Sequence, residues 1–415
     1  MLVLRTEKFG GIAFNDENAA QISLDKDGFF LFKEYIKEDY KRRLSLPKRK
    51  FIKNVLEILD IKDISEIKQN RNPLKVKIIK EVKTKNKRRH FEVLNSPTLA
   101  DIQITTKCNL HCPHCYASSS LNGGNIAWED LILALDSFSD AGVFQLALGG
   151  GEPTLHPKFI QILKAARERG MTPNLTTNGK DLTSEIAEAM GRYCGAVALS
   201  AEGVEEDFER RRHFKWEKFC QSAKLLKKHG NKLVFQITAS CGNIEKLPRI
   251  IDCLLGFESY GLILLAYKPV GRGKFFDDVL TVRENSLVKN IIKECLDKVE
   301  NKTKIGFDCC FAKGIIELAK ETFSFNFEVV EGCSALRNSL AVTKDLDVVP
   351  CSFINHAVGN LKQESLERIW NGEKSEKFRK KFCENIKSAM CENCLLKYQC
   401  LGGCPEFDLI KCSKG

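Results

Sequence analysis

Asp101-Ile-Gln-Ile-Thr-Thr-Lys-Cys108-Asn-Leu-His-Cys112-Pro-His-Cys115 is an alternating apolar run that leads directly into a C-x3-C-x2-C triplet. The alternation over 101–105 predicts a strand, so the three thiols stand on a loop at its carboxyl end. Three thiolates on so short a loop can hold one iron–sulfur cluster, for which cysteine is the usual ligand. A [4Fe–4S] cluster takes four ligands, so the triplet leaves one iron open to a small molecule. A zinc knuckle is the other reading, kept open by His111 and His114. Structural zinc sites, however, favour four Cys/His ligands in two short pairs.

Further along comes Val143-Phe-Gln-Leu-Ala-Leu148, followed by Gly149-Gly150-Gly151-Glu152-Pro153. Glycines at a strand end let backbone approach a ligand closely, and a carboxylate beside them can hold an ammonium group. Strand-like runs recur at 172–177, 195–201, 232–239 and 260–267. Amphipathic stretches of helical length separate them, at 127–141, 157–170, 182–193, 216–230 and 244–255. With the strands at 101 and 143 this makes six parallel βα units, short of a closed eight-fold barrel. Ligands of such sheets bind at the carboxyl ends of the strands, where the triplet and the glycines already stand.

The cysteine triplet and Gly150-Gly151-Glu152-Pro153 together resemble the radical S-adenosylmethionine (SAM) enzymes. The resemblance implies an α/β fold with a partial (βα)6 TIM-like barrel. It also implies that the open iron of the Cys108/Cys112/Cys115 cluster chelates the amino and carboxylate groups of SAM. On this likeness His114 lies beside the adenine, and Gly150, Gly151, Glu152 and Pro153 (the family's GGEP motif) bind the SAM amino group. Asn178, in Thr177-Asn178-Gly179, matches a turn of the same site near the substrate. Ser200 and Glu202 match positions that hold the ribose and carboxylate of SAM, although the family's Asp-Gly is Glu202-Gly203 here. Pro269–Gly273 resembles a loop beside the adenosyl group.

A second cysteine group stands near the C-terminus: Cys391, Cys394, Cys400 and Cys404 in C-x2-C-x5-C-x3-C spacing, then Cys412, with Cys333 and Cys351 upstream. A zinc ribbon is the plain alternative. The pattern is similar to the SPASM extension of radical SAM enzymes, which carries two auxiliary [4Fe–4S] clusters. By that resemblance Cys391, Cys394, Cys400 and Cys412 hold one cluster, and Cys333, Cys351 and Cys404 hold part of the other. Its fourth ligand is Cys309 or Cys310, with Cys310 favoured, or else that iron stays open to a substrate thiolate. The family places a glycine five residues before the Cys351 position, where this chain has Leu346. Cys194, Cys220, Cys241, Cys253, Cys295 and Cys383 show no ligand spacing and read as small core residues.

The first hundred residues read as two or three short strands (3–14 and 20–24) followed by amphipathic helices over 27–36 and 50–59. This order resembles the winged-helix-like leader-recognition module of enzymes that modify ribosomally made peptides, where a leader adds as a strand to the sheet edge. The expected division is 1–90 for that module and a basic linker, 91–302 for the barrel and 303–415 for the SPASM domain. Between Lys41 and His90 there are 18 Lys/Arg and 5 Asp/Glu, a local +13 in a chain whose total is +11. Such a stretch could attract an acidic leader, meet RNA or DNA, or be a solvated linker between the module and the barrel. Lys83–Arg89 carries no aromatic residue for base stacking, which favours the linker and makes nucleic acid an unexpected partner.

No apolar run approaches the ~20 residues of a membrane span, and no signal-peptide core is seen, so a cytoplasmic setting is expected. Eighteen cysteines in 415 residues then point to clusters in a reducing compartment rather than to disulfides. The resemblance implies the chemistry. An external donor of the flavodoxin or ferredoxin type reduces the SAM-bound cluster, SAM gives a 5′-deoxyadenosyl radical, and the radical takes hydrogen from a carbon of a leader-bearing precursor peptide. The expected product is a thioether crosslink. The alternatives are a carbon–carbon crosslink, maturation of a sulfatase- or dehydrogenase-type protein, RNA modification, or a non-catalytic electron carrier, against which the GGEP glutamate speaks.

Overall fold

The computed structural model describes residues 2–36, 44–61, 76–79, 93–280, 285–315, 331–387, 389–394, 396–410 and 412. Strands β1 (Leu2–Glu7), β2 (Gly10–Asn15) and β3 (Ala20–Asp25) form an antiparallel meander, followed by α1 (Lys26–Ile36) and α2 (Leu46–Ile58). Strand β4 (Val76–Ile79) returns parallel to β1, giving the order β3-β2-β1-β4. Helix α2 starts ahead of its sequence pattern because Pro47 occupies its first turn, where no N–H is needed. Leu4, Leu24, Phe32, Ile52, Val55 and Leu59 bury the two helices against this sheet. The basic run Lys83–Arg89 lies outside the described residues.

The module docks beneath the barrel, at the amino ends of its strands. Arg5 is 2% exposed, pairs with Glu7 at 2.8 Å, and donates to the carbonyls of Pro97 and Gly142 at 2.8 Å and of Ser96 at 3.0 Å. Phe14 stacks on Phe144 with centroids 4.9 Å apart, and the Arg5 guanidinium covers the same ring. The Asp16 carbonyl accepts from Arg167 and from the Thr172 hydroxyl.

The barrel sheet begins with β5 (Leu99–Thr105), then α3 (Trp128–Ala141), β6 (Gln145–Gly150), α4 (Phe159–Glu168), β7 (Thr172–Thr177), α5 (Ser184–Tyr193) and β8 (Val197–Ser200). It continues through α6 (Glu205–Arg212), α7 (Trp216–Lys228), β9 (Leu233–Ala239), α8 (Leu247–Leu255), β10 (Gly261–Ala266) and α9 (Asn285–Val299). All six expected strands are present, parallel and sequentially adjacent. Helix ends follow local chemistry: Thr183 caps α5 by accepting from Ile186 N, and α3 stops at Gly142, whose φ of +74° suits glycine. Two elements escape the periodicity reading. Helix α6 buries one apolar side chain, Phe208, and α9 lies beyond the last repeat read from the sequence.

The sheet is also wider than six strands. Strand β11 (Lys304–Phe307) adds parallel to β10, and β12 (Ser339–Val342) adds parallel to β5 on the other flank. Strands β13 (Asp347–Val349) and β14 (Gly359–Asn360) follow antiparallel from β12. No pairing joins β11 to β12 among the described residues, so the barrel stays open at that seam. Helices α10 (Leu366–Asn371), α11 (Glu373–Asn385), α12 (Ala389–Glu392) and α13 (Lys397–Cys400) complete the C-terminal region. Leu346 takes the left-handed conformation itself, at φ +67°, with its side chain fully buried. The expected glycine turn is thus kept by a leucine whose burial, worth roughly 1.5–3 kcal/mol, offsets a conformational cost of about 1–2 kcal/mol. Among the described residues no helix is long and apolar enough to cross a membrane.

Candidate active site

A cavity of about 570 Å³ opens at the carboxyl ends of β5 to β10 and is lined by Cys108, Cys112, Cys115, Gly150, Gly151 and Glu152, among others. Glycine is required where the strand end meets the cysteine loop. Gly150 has φ +112°, and a Cβ there would stand 2.1 Å from the Thr105 carbonyl oxygen; at Gly151 it would stand 2.0 Å from that of Lys107. The loop is pinned from the opposite side by Arg272, which donates to the carbonyls of Cys112 at 2.9 Å and Ser119 at 3.1 Å. Gly271, at φ +59°, lets that segment lie against the Tyr116 carbonyl.

Glu152 is buried at the cavity wall and held by four donors. Its Oε1 accepts from the Thr177 hydroxyl at 2.7 Å, the Thr154 hydroxyl at 2.8 Å and Thr154 N at 3.3 Å, and its Oε2 accepts from Asn178 N at 2.8 Å. Burial pushes its carboxyl up, and these hydrogen bonds work against that shift. Pro153 is buried, starts the short 3₁₀ turn after Glu152, and does not line the cavity. Asn178 lines it, with Nδ2 2.9 Å from Asn109 Oδ1 and 3.9 Å from Cys108 Sγ, and Ser200 lines it at the end of β8. Removing the Thr177 hydroxyl takes one donor, worth about 1.5–3 kcal/mol, from the charged carboxylate. Thr177→Val should therefore weaken SAM binding about 10-fold or more at neutral pH, measured by equilibrium dialysis on the cluster-loaded protein.

Glu202 departs from its expected placement. It does not line the cavity; both its oxygens are taken by the Arg212 guanidinium, and His114 Nε2 lies 3.9 Å away. Arg212 does line the cavity, with Nη1 3.7 Å from Cys112 Sγ. It is a cavity residue that sequence periodicity misses, because α6 has almost no apolar face. A charge signal would have found the helix: Glu205, Glu206 and Asp207 open it and Arg210, Arg211 and Arg212 close it, as the helix dipole favours. His114 lines the cavity with Nδ1 buried and without a partner, and burial lowers its pKa to about 4, so it is neutral.

These residues fit the groups that the cysteine spacing implies. Three thiols converge on one cavity, glycines leave room where any Cβ would collide, and a buried imidazole nitrogen waits for a donor or acceptor. A second thiol set fills the open seam between β11 and β12. The Sγ atoms of Cys309, Cys310 and Cys404 all lie within 4.8 Å of one another, and Cys333 joins them through hydrogen bonds with Cys309 and Cys404. Hydrogen bonds from Cys309, Cys310 and Cys333 hold the Cys404 thiol well below its ordinary range. Cys404 is close enough to Cys351 for its charge to help raise the Cys351 thiol, after burial. The seam thus gathers both Cys309 and Cys310, where one was expected, and the donor set suits a cluster of soft thiolate ligands. Cys391 and Cys394 share a tight turn (Cys394 N to Cys391 O, 3.1 Å) with Cys400 in electrostatic reach of Cys391, and Cys412 is half-buried just past the core residue Ile410.

The family profile described as the Radical SAM superfamily matches residues 102–253, and that of the SPASM iron–sulfur cluster-binding domain matches residues 333–395. The AdoMet-dependent heme synthase of Methanosarcina barkeri is 25% identical over 327 residues, covering 74% of this chain and 91% of that protein. The antilisterial bacteriocin subtilosin biosynthesis protein AlbA of Bacillus subtilis is 24% identical over 289 residues, 66% of this chain and 60% of that one. In structure, Streptococcus suis SuiB bound to S-adenosylmethionine superposes over 99% of this chain and 98% of its own, with TM-score 0.67 at 18% identity.

Proposed function

We propose that this chain, a radical SAM enzyme with a C-terminal SPASM domain, installs a sulfur-to-carbon thioether in a leader-bearing, ribosomally made precursor peptide. Enzymes of this superfamily require SAM and a [4Fe–4S] cluster, and the SPASM domain binds auxiliary iron–sulfur clusters. When bound, SAM on the reduced cluster supplies a carbon-centred radical able to take hydrogen from an unactivated carbon, chemistry that no side chain offers.

Cys108, Cys112 and Cys115 would hold the SAM-binding cluster. Glu152 and the glycines would face the SAM amino group, Arg212 its carboxylate, and His114 the adenine. Cys333, Cys351, Cys404 and the Cys309/Cys310 pair would hold one auxiliary cluster, and Cys391, Cys394, Cys400 and Cys412 the other. The protein's task is positioning and exclusion of water.

The observation that carries the peptide reading is the sheet module fused beneath the barrel, whose strand β3 pairs with β2 alone among the described strands. A leader can add to such an edge through main-chain hydrogen bonds. The fold likeness to SuiB runs through this module, and SuiB has also been crystallised with its precursor peptide SuiA. The module sits at the amino ends of strands that, β8 apart, are six or seven residues long, so leader and reacting residue are separated by roughly 20 Å of barrel. A spacer of at least ~6 extended residues must bridge them.

The heme-synthase likeness raises a tetrapyrrole substrate as the rival. Its carboxylates would need cations beyond the Arg212 that serves the SAM carboxylate, yet the other two lining the cavity are engaged: Lys268 by Asp308, and Arg272 by two carbonyls. The test is anaerobic reconstitution with a cysteine-containing precursor encoded beside the gene. A mass loss of two hydrogens that blocks thiol alkylation, and that fails when the leader is removed, supports the proposal. Conversion of an iron porphyrin instead would overturn it, and a mass loss that leaves the thiol free would replace the thioether with a carbon–carbon link.

A further inference from the structure

We propose that Asp101, on β5, is the carboxylate that takes the proton when the substrate radical is oxidised to product, a role that rests on the peptide-modification reading above. Its position carries the argument. Asp101 lines the cavity, with Oδ1 3.3 Å from where a Cβ on Gly149 would stand, and the Tyr116 hydroxyl is 3.9 Å from the same point. The Ser352 hydroxyl donates a hydrogen bond to it. Tyr116 directly follows Cys115, and Ser352 directly follows Cys351. The carboxylate therefore stands in the cavity between the loop of the SAM-binding cysteines and the turn of an auxiliary-cluster cysteine. Tyr116 and Phe353 close this contact, with ring centroids 4.9 Å apart, and Lys268 covers Phe353 at 4.4 Å.

The chemistry requires such a group. Forming a thioether removes two hydrogens from the peptide. One leaves the carbon as an atom at the SAM site. The other leaves the thiol as a proton while the C–S bond forms, and one electron must depart with it. An oxidised [4Fe–4S] cluster, which Cys333, Cys351, Cys404 and the Cys309/Cys310 pair would hold, would supply the one-electron acceptor, and the proton goes to Asp101. The same balance holds if the partner is carbon, with a C–H bond in place of S–H.

Other titratable groups in the cavity are committed elsewhere. Glu152 carries four donors, Lys268 is held protonated by Asp308, and burial lowers His114 to about 4. Tyr116 and Cys351 are the titratable groups that face Asp101, and burial raises both. Burial pushes the Asp101 carboxyl up to about 6, opposed by the Ser352 hydrogen bond. A base is most effective when its pKa lies near the working pH. Being an acid, it is ready to accept a proton above about 6, so product formation should fall as pH drops through that value.

The test uses the three-cluster holoenzyme and the precursor peptide, with Asp101→Asn and Ser352→Ala, after iron content and visible spectrum show intact clusters. In Asp101→Asn the ratio of 5′-deoxyadenosine to crosslinked product should rise about 100-fold, the usual worth of a positioned base, and the acidic limb of the pH profile should vanish. In Ser352→Ala, which loses a hydrogen bond to the charged form, that limb should move to higher pH. Infrared titration needs no substrate: a protonated-carboxyl band should appear near pH 6 in the wild type and be missing from Asp101→Asn. A wild-type product yield, or an unchanged acidic limb, in Asp101→Asn would overturn the role while leaving peptide modification standing. If wild-type enzyme crosslinks no peptide, the reading of function fails, and absence of the infrared band removes Asp101 as a proton acceptor for any substrate.

Discussion

In the Cys112→Ala protein, release of 5′-deoxyadenosine from SAM is expected to fall to background. The iron content should drop from about 12 to about 8 atoms per chain, the difference between three [4Fe–4S] clusters and two. Cys112 is 6% exposed at the centre of the triplet, and its backbone carbonyl is held by Arg272. Two remaining thiols leave a second iron without a protein ligand and abolish the single open position that SAM would occupy. The auxiliary cysteines lie on other segments, so their clusters should survive and keep the protein coloured. A variant that retains full iron and cleaves SAM would show that the cluster is held elsewhere. Wild-type protein that binds only zinc at the triplet after anaerobic preparation would end the radical reading altogether.

The second large effect is on stability. Arg5→Ala should destabilise the protein by about 3–5 kcal/mol, the range for breaking a buried ion pair by removing one partner. Arg5 lies at the interface between the N-terminal sheet and the barrel, and deletion strands Glu7 and three carbonyls away from water. Burial already pushes the Glu7 carboxyl up, with Arg5 and Asn95 N opposing the shift. Without Arg5 that carboxyl should protonate more readily, so the loss should be largest near neutral pH and smaller in acid. Chemical denaturation at pH 7 and pH 5 measures both quantities. Arg5→Met combined with Glu7→Leu should cost much less, because it removes the charges together. Equal losses in the single and double variants would mean that the pair is not what ties the module to the barrel.

Much of the fold is legible in the chain because its signals are local. Apolar alternation at 101–105, 143–148 and the four later runs marks the strands, and helix-length amphipathic stretches mark most of what connects them. The cysteine spacings are legible for the same reason, since ligands three or four residues apart must share a loop. Helix α6 was hidden because it is held by charge and a single buried phenylalanine rather than by an apolar face. Arg212 goes with it, and Glu202, which the resemblance matches to a SAM-holding position, anchors that arginine with both carboxylate oxygens. Strands β11 and β12 are four residues each, too short for periodicity to register, yet they widen the sheet and frame the seam where Cys309, Cys310, Cys333, Cys351 and Cys404 gather.

The amino-acid sequence alone determines the kind of chemistry: a thiol triplet one ligand short of a cluster, a glycine-rich strand end with its glutamate, and a second thiol group downstream. Ligand number and loop length decide those features, and neither depends on distant parts of the chain. Only the tertiary structure decides which groups share the cavity. Asp101 meets Ser352, Lys268 meets Asp308, and Arg5 reaches under the barrel because packing brings together segments far apart in the chain, and no local pattern encodes those distances.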